Sequence, residues 1–113
     1  MRIVNHKNDG VYLEFDNGFK VSTIWGSGSY SENYNIDYKL PIDEQFAKHE
    51  DGSGTVEVYF TDIPKGGERL HKSLLKKYND EYEQPIGNLK VKDWMDLIQK
   101  VNRWKPLTKE REV

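Results

Sequence analysis

Residues 11–25 constrain the fold more than any other stretch of this chain. Val11, Leu13 and Phe15 alternate with Tyr12 and Glu14, and beyond Asp16-Asn17-Gly18 the residues Phe19, Val21, Thr23 and Trp25 alternate with Lys20, Ser22 and Ile24. A period of two on both sides of a turn motif predicts two half-buried strands joined as a hairpin. Register selects the turn, because directly opposed residues point to one face. A two-residue Asn17-Gly18 loop would set Phe15 against Lys20 and Leu13 against Ser22. A three-residue Asp16-Asn17-Gly18 loop sets Phe15 against Phe19, Leu13 against Val21 and Val11 against Thr23, which keeps the apolar face continuous. The longer loop is therefore expected, with Gly18 at the left-handed position of a bulge turn.

Around this hairpin the pattern predicts further strands. Arg2–His6 reads as an N-terminal strand entering through Lys7-Asn8-Asp9-Gly10. Tyr34, Ile36, Tyr38 and Leu40 alternate ahead of Pro41, as in an edge strand. Phe46–His49 and Thr55–Phe60 flank Glu50-Asp51-Gly52-Ser53-Gly54 as a hairpin, with Val56, Val58 and Phe60 inward. From Lys65 the period changes. Leu70, Leu74 and Tyr78, with His71, Leu75 and Tyr82 beside them, predict a helix over about Glu68–Tyr78. Val91, Trp94, Met95, Ile98 and Val101, widened by Leu97 and Trp104, predict a second helix ending before Pro106. Strands first and helices last give an α+β domain: a mostly antiparallel sheet of about 4–6 strands, with two C-terminal helices packed on one face. The stripe of the second helix is the expected lid for Val11, Leu13, Phe15, Val21 and Trp25. One domain is expected over residues 1–106, with 107–113 a frayed charged tail.

Fourteen of the 113 residues are Trp, Tyr or Phe (3, 7 and 4), so the core is expected to be small and built from large rings. The chain has no cysteine, which removes disulfides, thiolate metal sites and a cysteine nucleophile together. Neither a signal-peptide h-region nor an 18-residue apolar run is present, and a soluble intracellular protein is expected. Charge is segregated. Residues 1–64 hold 5 Lys/Arg against 11 Asp/Glu, a net −6, whereas residues 65–113 hold 12 against 8, a net +4. An acidic sheet side facing a basic helical side explains this layout, as does one pole that meets a charged partner.

Catalytic and ligand motifs are missing where they are sought. Gly26-Ser27-Gly28 follows a strand, but it lacks the third glycine of a dinucleotide fingerprint and the lysine of a phosphate-binding loop. The spacing around Ser27 and Ser53 is not that of a nucleophile elbow. His6, His49 and His71 lie on separate elements and form no short-spaced ligand pair. Adjacent carboxylates such as Asp43-Glu44 are expected by chance among 19 acidic residues and read as solvated turns. The Gly/Ser loop therefore reads as a turn. Alternation cannot be carried across its glycines, so the facing of Tyr30 and Tyr34 stays open. Arg69, Lys72, Lys76 and Lys77 form the densest basic cluster. Asp93 and Asp96 interrupt the basic residues of the second helix, and Asp80, Glu81 and Glu83 follow the first.

The run Phe15-Asp16-Asn17-Gly18-Phe19-Lys20-Val21-Ser22, followed by Gly26-Ser27-Gly28-Ser29-Tyr30-Ser31, resembles an uncharacterised group of small proteins encoded by bacteriophages and prophages. Those proteins share an N-G-x-x-V-S strand and a G-x-G-x-Y loop. Thr55-Val56-Glu57-Val58 is similar to their second β signature, and Leu89–Val101 to their closing amphipathic helix. Pro41–Lys48 and Pro64–Pro85 are longer and more charged than the usual connections of the group. The resemblance implies a cytoplasmic product in a bacterial host cell and brings no catalytic residues with it. Together with the missing motifs it implies a non-enzymatic protein without cofactor or metal. Such a protein would bind a host or phage protein, inhibition of a host or defence factor being one outcome. Tyr30, Tyr34, Arg69, Lys72, Lys76 and Lys77 are the candidate contact residues. The alternative is a nucleic-acid-binding accessory protein that uses the basic C-terminal helices.

Overall fold

In the computed structural model, which describes residues 1–5, 9–26, 29–33, 39–44, 53–79 and 82–106, the chain forms one five-stranded sheet and two long helices. The strands are β1 (Arg2–Asn5), β2 (Gly10–Glu14), β3 (Lys20–Ile24), β4 (Thr55–Asp62) and β5 (Ile86–Lys90). They lie in sequence order and every neighbouring pair is antiparallel. The meander follows from the hairpin at residues 11–25. Leu13 opposes Val21 and Val11 opposes Thr23, as the three-residue loop requires. Phe15 N donates to Phe19 O at 2.9 Å and Gly18 N donates to Phe15 O at 3.1 Å, closing the turn. Gly18 has φ +100°, in the region that favours glycine.

The helices α1 (Glu68–Asn79) and α2 (Val91–Arg103) cover one face of this sheet. Period and packing agree there. Leu74 and Leu75 of α1, with Leu97 and Val101 of α2, are buried against Leu13, Val21, Val56, Val58, Phe60, Ile86 and Leu89. Phe19 is fully buried, with the Phe60 ring edge-on at 5.9 Å and the Trp104 ring at 5.4 Å. A ring removed from water in this way contributes about 1.5–3 kcal/mol. The start of α1 is fixed by Gly67 N donating to Pro64 O, while Glu68 in its first turn accepts from Gly66 N. Glu68 at one end with Lys76 and Lys77 at the other complements the helix dipole. The other end of the fold is tied from a distance. Asn17 Nδ2 donates to the carbonyls of Val101 (2.7 Å) and Trp104 (2.9 Å), so the β2–β3 turn caps the C-terminus of α2.

Several expectations need correcting. Leu89 belongs to β5, not to a closing helix, and α2 begins at Val91 directly after that strand. Gly87-Asn88 hid the strand by breaking its alternation. The β4–β5 register shifts between Val56 and Val58, and Asn88 takes φ +50° at the bulge. Tyr82 lies beyond α1 and is 63% exposed, not part of a core stripe. Val91 and Met95 are also exposed, which narrows the apolar stripe of α2. Its lid role is incomplete, since Leu13, Phe15 and Val21 are buried but Val11 and Trp25 only partly so. The first arm of the hairpin expected at Phe46–His49 lies outside the described residues, as do Tyr34–Tyr38 of the expected edge strand and the tail 107–113. Lys39 and Leu40 are in a turn rather than a strand, and Ile42–Glu44 are helical.

Candidate functional site

The Gly/Ser loop after β3 is held by its own polar groups. Ser29 Oγ donates to Gly26 O at 2.6 Å and lies 2.8 Å from Ser31 Oγ, and Asn33 Nδ2 donates to Trp25 O at 2.6 Å. Ser29, Ser31 and Asn33 are buried. The loop is clamped to the sheet as well, with Asn88 N donating to Tyr30 O, Glu32 N to Thr55 Oγ1 and Gly54 N to Glu32 Oε2. These bonds account for the loop as a structural element. Tyr30 is exposed, and its backbone N–H donates to Glu57 Oε1. Tyr34 lies outside the described residues.

A groove of about 450 Å³ opens on the helix-covered face beside the N-terminal end of α2, where among the described residues Ile3 of β1 stays exposed and Val11 of β2 is only partly buried. Ile3, Val11, Trp25, Val56, Val91 and Trp94 form most of its wall. Sheet width explains the gap. Both helices pack beside β5, the edge farthest from β1. Four spacings of ~4.8 Å put β1 about 19 Å from β5, beyond the reach of helices about 10 Å across whose sheet contacts fall on β4 and β5. Ile3 opposes Leu13 on this face yet is 68% exposed. The two hydroxyls in the groove are already engaged. Trp94 Nε1 donates to Thr23 Oγ1 at 2.9 Å, and Ser53 Oγ donates to Thr55 O at 2.6 Å. What remains is an apolar slot beside an edge strand. Sequence reasoning missed it, because Val91 and Met95 carry the same spacing as residues that are buried.

The four basic candidates lie along α1. Arg69 and Lys72, with Ser73, Lys76, Lys77 and Tyr82, line a hollow of about 770 Å³. A second hollow, of about 800 Å³, adjoins it through Arg69 and Ser73 and reaches Lys65, Trp104 and Lys105. The structure thus brings Arg69, Lys72, Lys76 and Lys77 together on a surface that the apolar groove does not share. Lys77 is partly drawn aside. Its Nζ lies 5.2 Å from the Tyr78 ring centre, and hydrogen bonding with Lys100 pushes Lys77 up and Lys100 down from the ordinary lysine value.

Among the described residues no group of three or more His, Asp or Glu side chains could hold a metal ion. His71 is half-buried with its ring 4.6 Å from that of Phe60. Burial holds its imidazole below the ordinary histidine value, and the Gln84 side chain partly offsets this. Its Nε2 has no hydrogen-bond partner among the described residues. Gln84 itself stands in for a strand, accepting from Phe60 N at 2.6 Å and donating to Phe60 O at 3.2 Å. No described helix is long and apolar enough to cross a membrane. No family model matches the chain, nor does any curated protein or solved structure.

Proposed function

We propose that this chain is a small non-enzymatic protein-binding module that takes up an extended apolar segment of a partner protein along β1. The groove carries the reading, as an apolar slot with both of its hydroxyls engaged, bordered by the edge strand of the sheet. An edge strand offers main-chain hydrogen bonds to an added strand, and a neighbouring groove receives alternate side chains of that strand. Ile3 and Val91 stand exposed at the wall and would lose their hydration on binding. The resemblance to phage-encoded proteins favours a partner from a bacterial host or a phage, with inhibition of a defence factor as one consequence of capture.

Selection from a displayed random-peptide library, followed by calorimetry on the selected peptides, tests this. The expected ligands alternate apolar and polar residues, and Ile3→Asp weakens them at least about tenfold, the loss of ~1.4 kcal/mol. Val4→Thr, on the opposite face of β1, leaves them nearly unchanged. Peptides that bind Ile3→Asp as tightly as the parent would remove the groove from the account.

A further inference from the structure

We propose that the outer face of α1, between Tyr82 and Trp104, binds a single-stranded nucleic acid weakly and without sequence preference. The two adjoining hollows on this face are lined by Lys65, Arg69, Lys72, Lys76, Lys77 and Lys105, and no carboxylate lines either of them among the described residues. Residues 69, 72 and 76 recur on one side of the helix, giving one cation per turn of about 5.4 Å. That rise is of the order of the step between successive phosphates in an unstacked strand. Lys65, Arg69, Lys72 and Lys105 form no ion pair among the described residues. The nearest acid on the helix, Glu68, is turned back to accept from Gly66 N.

An acidic peptide would also meet these cations. The aromatic residues decide between the two. Tyr82 is 63% exposed at one end, with Lys76 Nζ 5.9 Å from its ring centre, and the half-buried Trp104 lines the hollow at the other. Rings flanking a cationic track are the features on which bases stack, and stacking is tolerant of sequence because every base has a π-face. The site is separate from the apolar groove, so it stands whether or not that groove binds a protein.

Fluorescence anisotropy with a short fluorescein-labelled oligothymidylate, and with poly-L-glutamate as competitor, tests the inference. At physiological salt the dissociation constant should lie at about 1–100 µM, the non-specific range. Four phosphates neutralised on a single strand give a slope of about −2.8 in log K against log salt, roughly a 50-fold loss between about 50 and 200 mM. The double variant Arg69→Glu, Lys72→Glu should abolish binding, and Tyr82→Ala should weaken it about tenfold through lost stacking. These side chains are exposed, so the variants should melt like the parent. The inference is overturned by no binding at about 50 mM salt, by binding that survives the charge reversal, or by poly-L-glutamate competing on equal terms while Tyr82→Ala has no effect.

Discussion

Replacing Asn17 with alanine removes three hydrogen bonds that join parts of the chain more than 80 residues apart and close a turn. Its Nδ2 donates to Val101 O and Trp104 O, and its Oδ1 accepts from Phe19 N at 3.2 Å. At about 1 kcal/mol each, the loss is roughly 3 kcal/mol, and it strips the Asn17 amide from the Trp104 carbonyl and leaves the Val101 carbonyl with only the 3.3 Å bond from Trp104 N. At about 4 °C per kcal/mol for a chain of this size, the melting midpoint should fall by roughly 12 °C. Asn17→Asp gives a sharper test. Aspartate can still accept from Phe19 N, but it places a carboxylate against two carbonyls at the negative end of the helix dipole. It should therefore be less stable than alanine by about 1 kcal/mol or more, and protonating it at low pH should recover part of the difference. Thermal and urea melts of both variants measure this. An alanine variant within about 0.5 kcal/mol of the parent, the usual range for a surface change, or an aspartate variant more stable than alanine, would refute the remote cap.

Three further outcomes follow from the packing. Gly18→Val should cost about 1–3 kcal/mol, since φ is +100° and an added Cβ would lie 2.9 Å from Pro64 Cβ; an unchanged urea midpoint would contradict the turn geometry. Trp94→Phe should cost about 1–3 kcal/mol by leaving the buried Thr23 hydroxyl unpaired, and Trp94→Ala about 3–5 kcal/mol, both read from urea melts. His71 is held below its ordinary pKa by burial, so the unfolded chain binds the proton more readily and stability should fall as pH drops through about 6.5. That loss should level off below the folded-state value and vanish in His71→Phe, as melts across pH would show.

The hairpin and both long helices were legible in the sequence because each is written in a single unbroken period. The register of the hairpin followed from face matching alone. Strand β5 was hidden by Gly87-Asn88, whose bulge is stabilised by Asn88 N donating to Tyr30 O, a partner far away in sequence. The cap from Asn17 was hidden for the same reason, since its turn-forming role explains the residue locally. The cationic row at Arg69, Lys72 and Lys76 could be read from spacing. Its neighbours Lys65, Trp104 and Lys105 could not, because folding brings the end of α2 beside the start of α1. The apolar groove had no local signature. It depends on where α2 stops covering a sheet whose first strand lies at the far edge.

Backbone amide exchange on the protein with and without a selected apolar peptide tests the binding role most directly. The peptide should slow exchange in Arg2–Asn5 and at the start of α2 around Val91, while the amides of α1 and of the Tyr30 loop keep their free rates. Protection that appears on α1 or the Tyr30 loop and leaves β1 unchanged would contradict it.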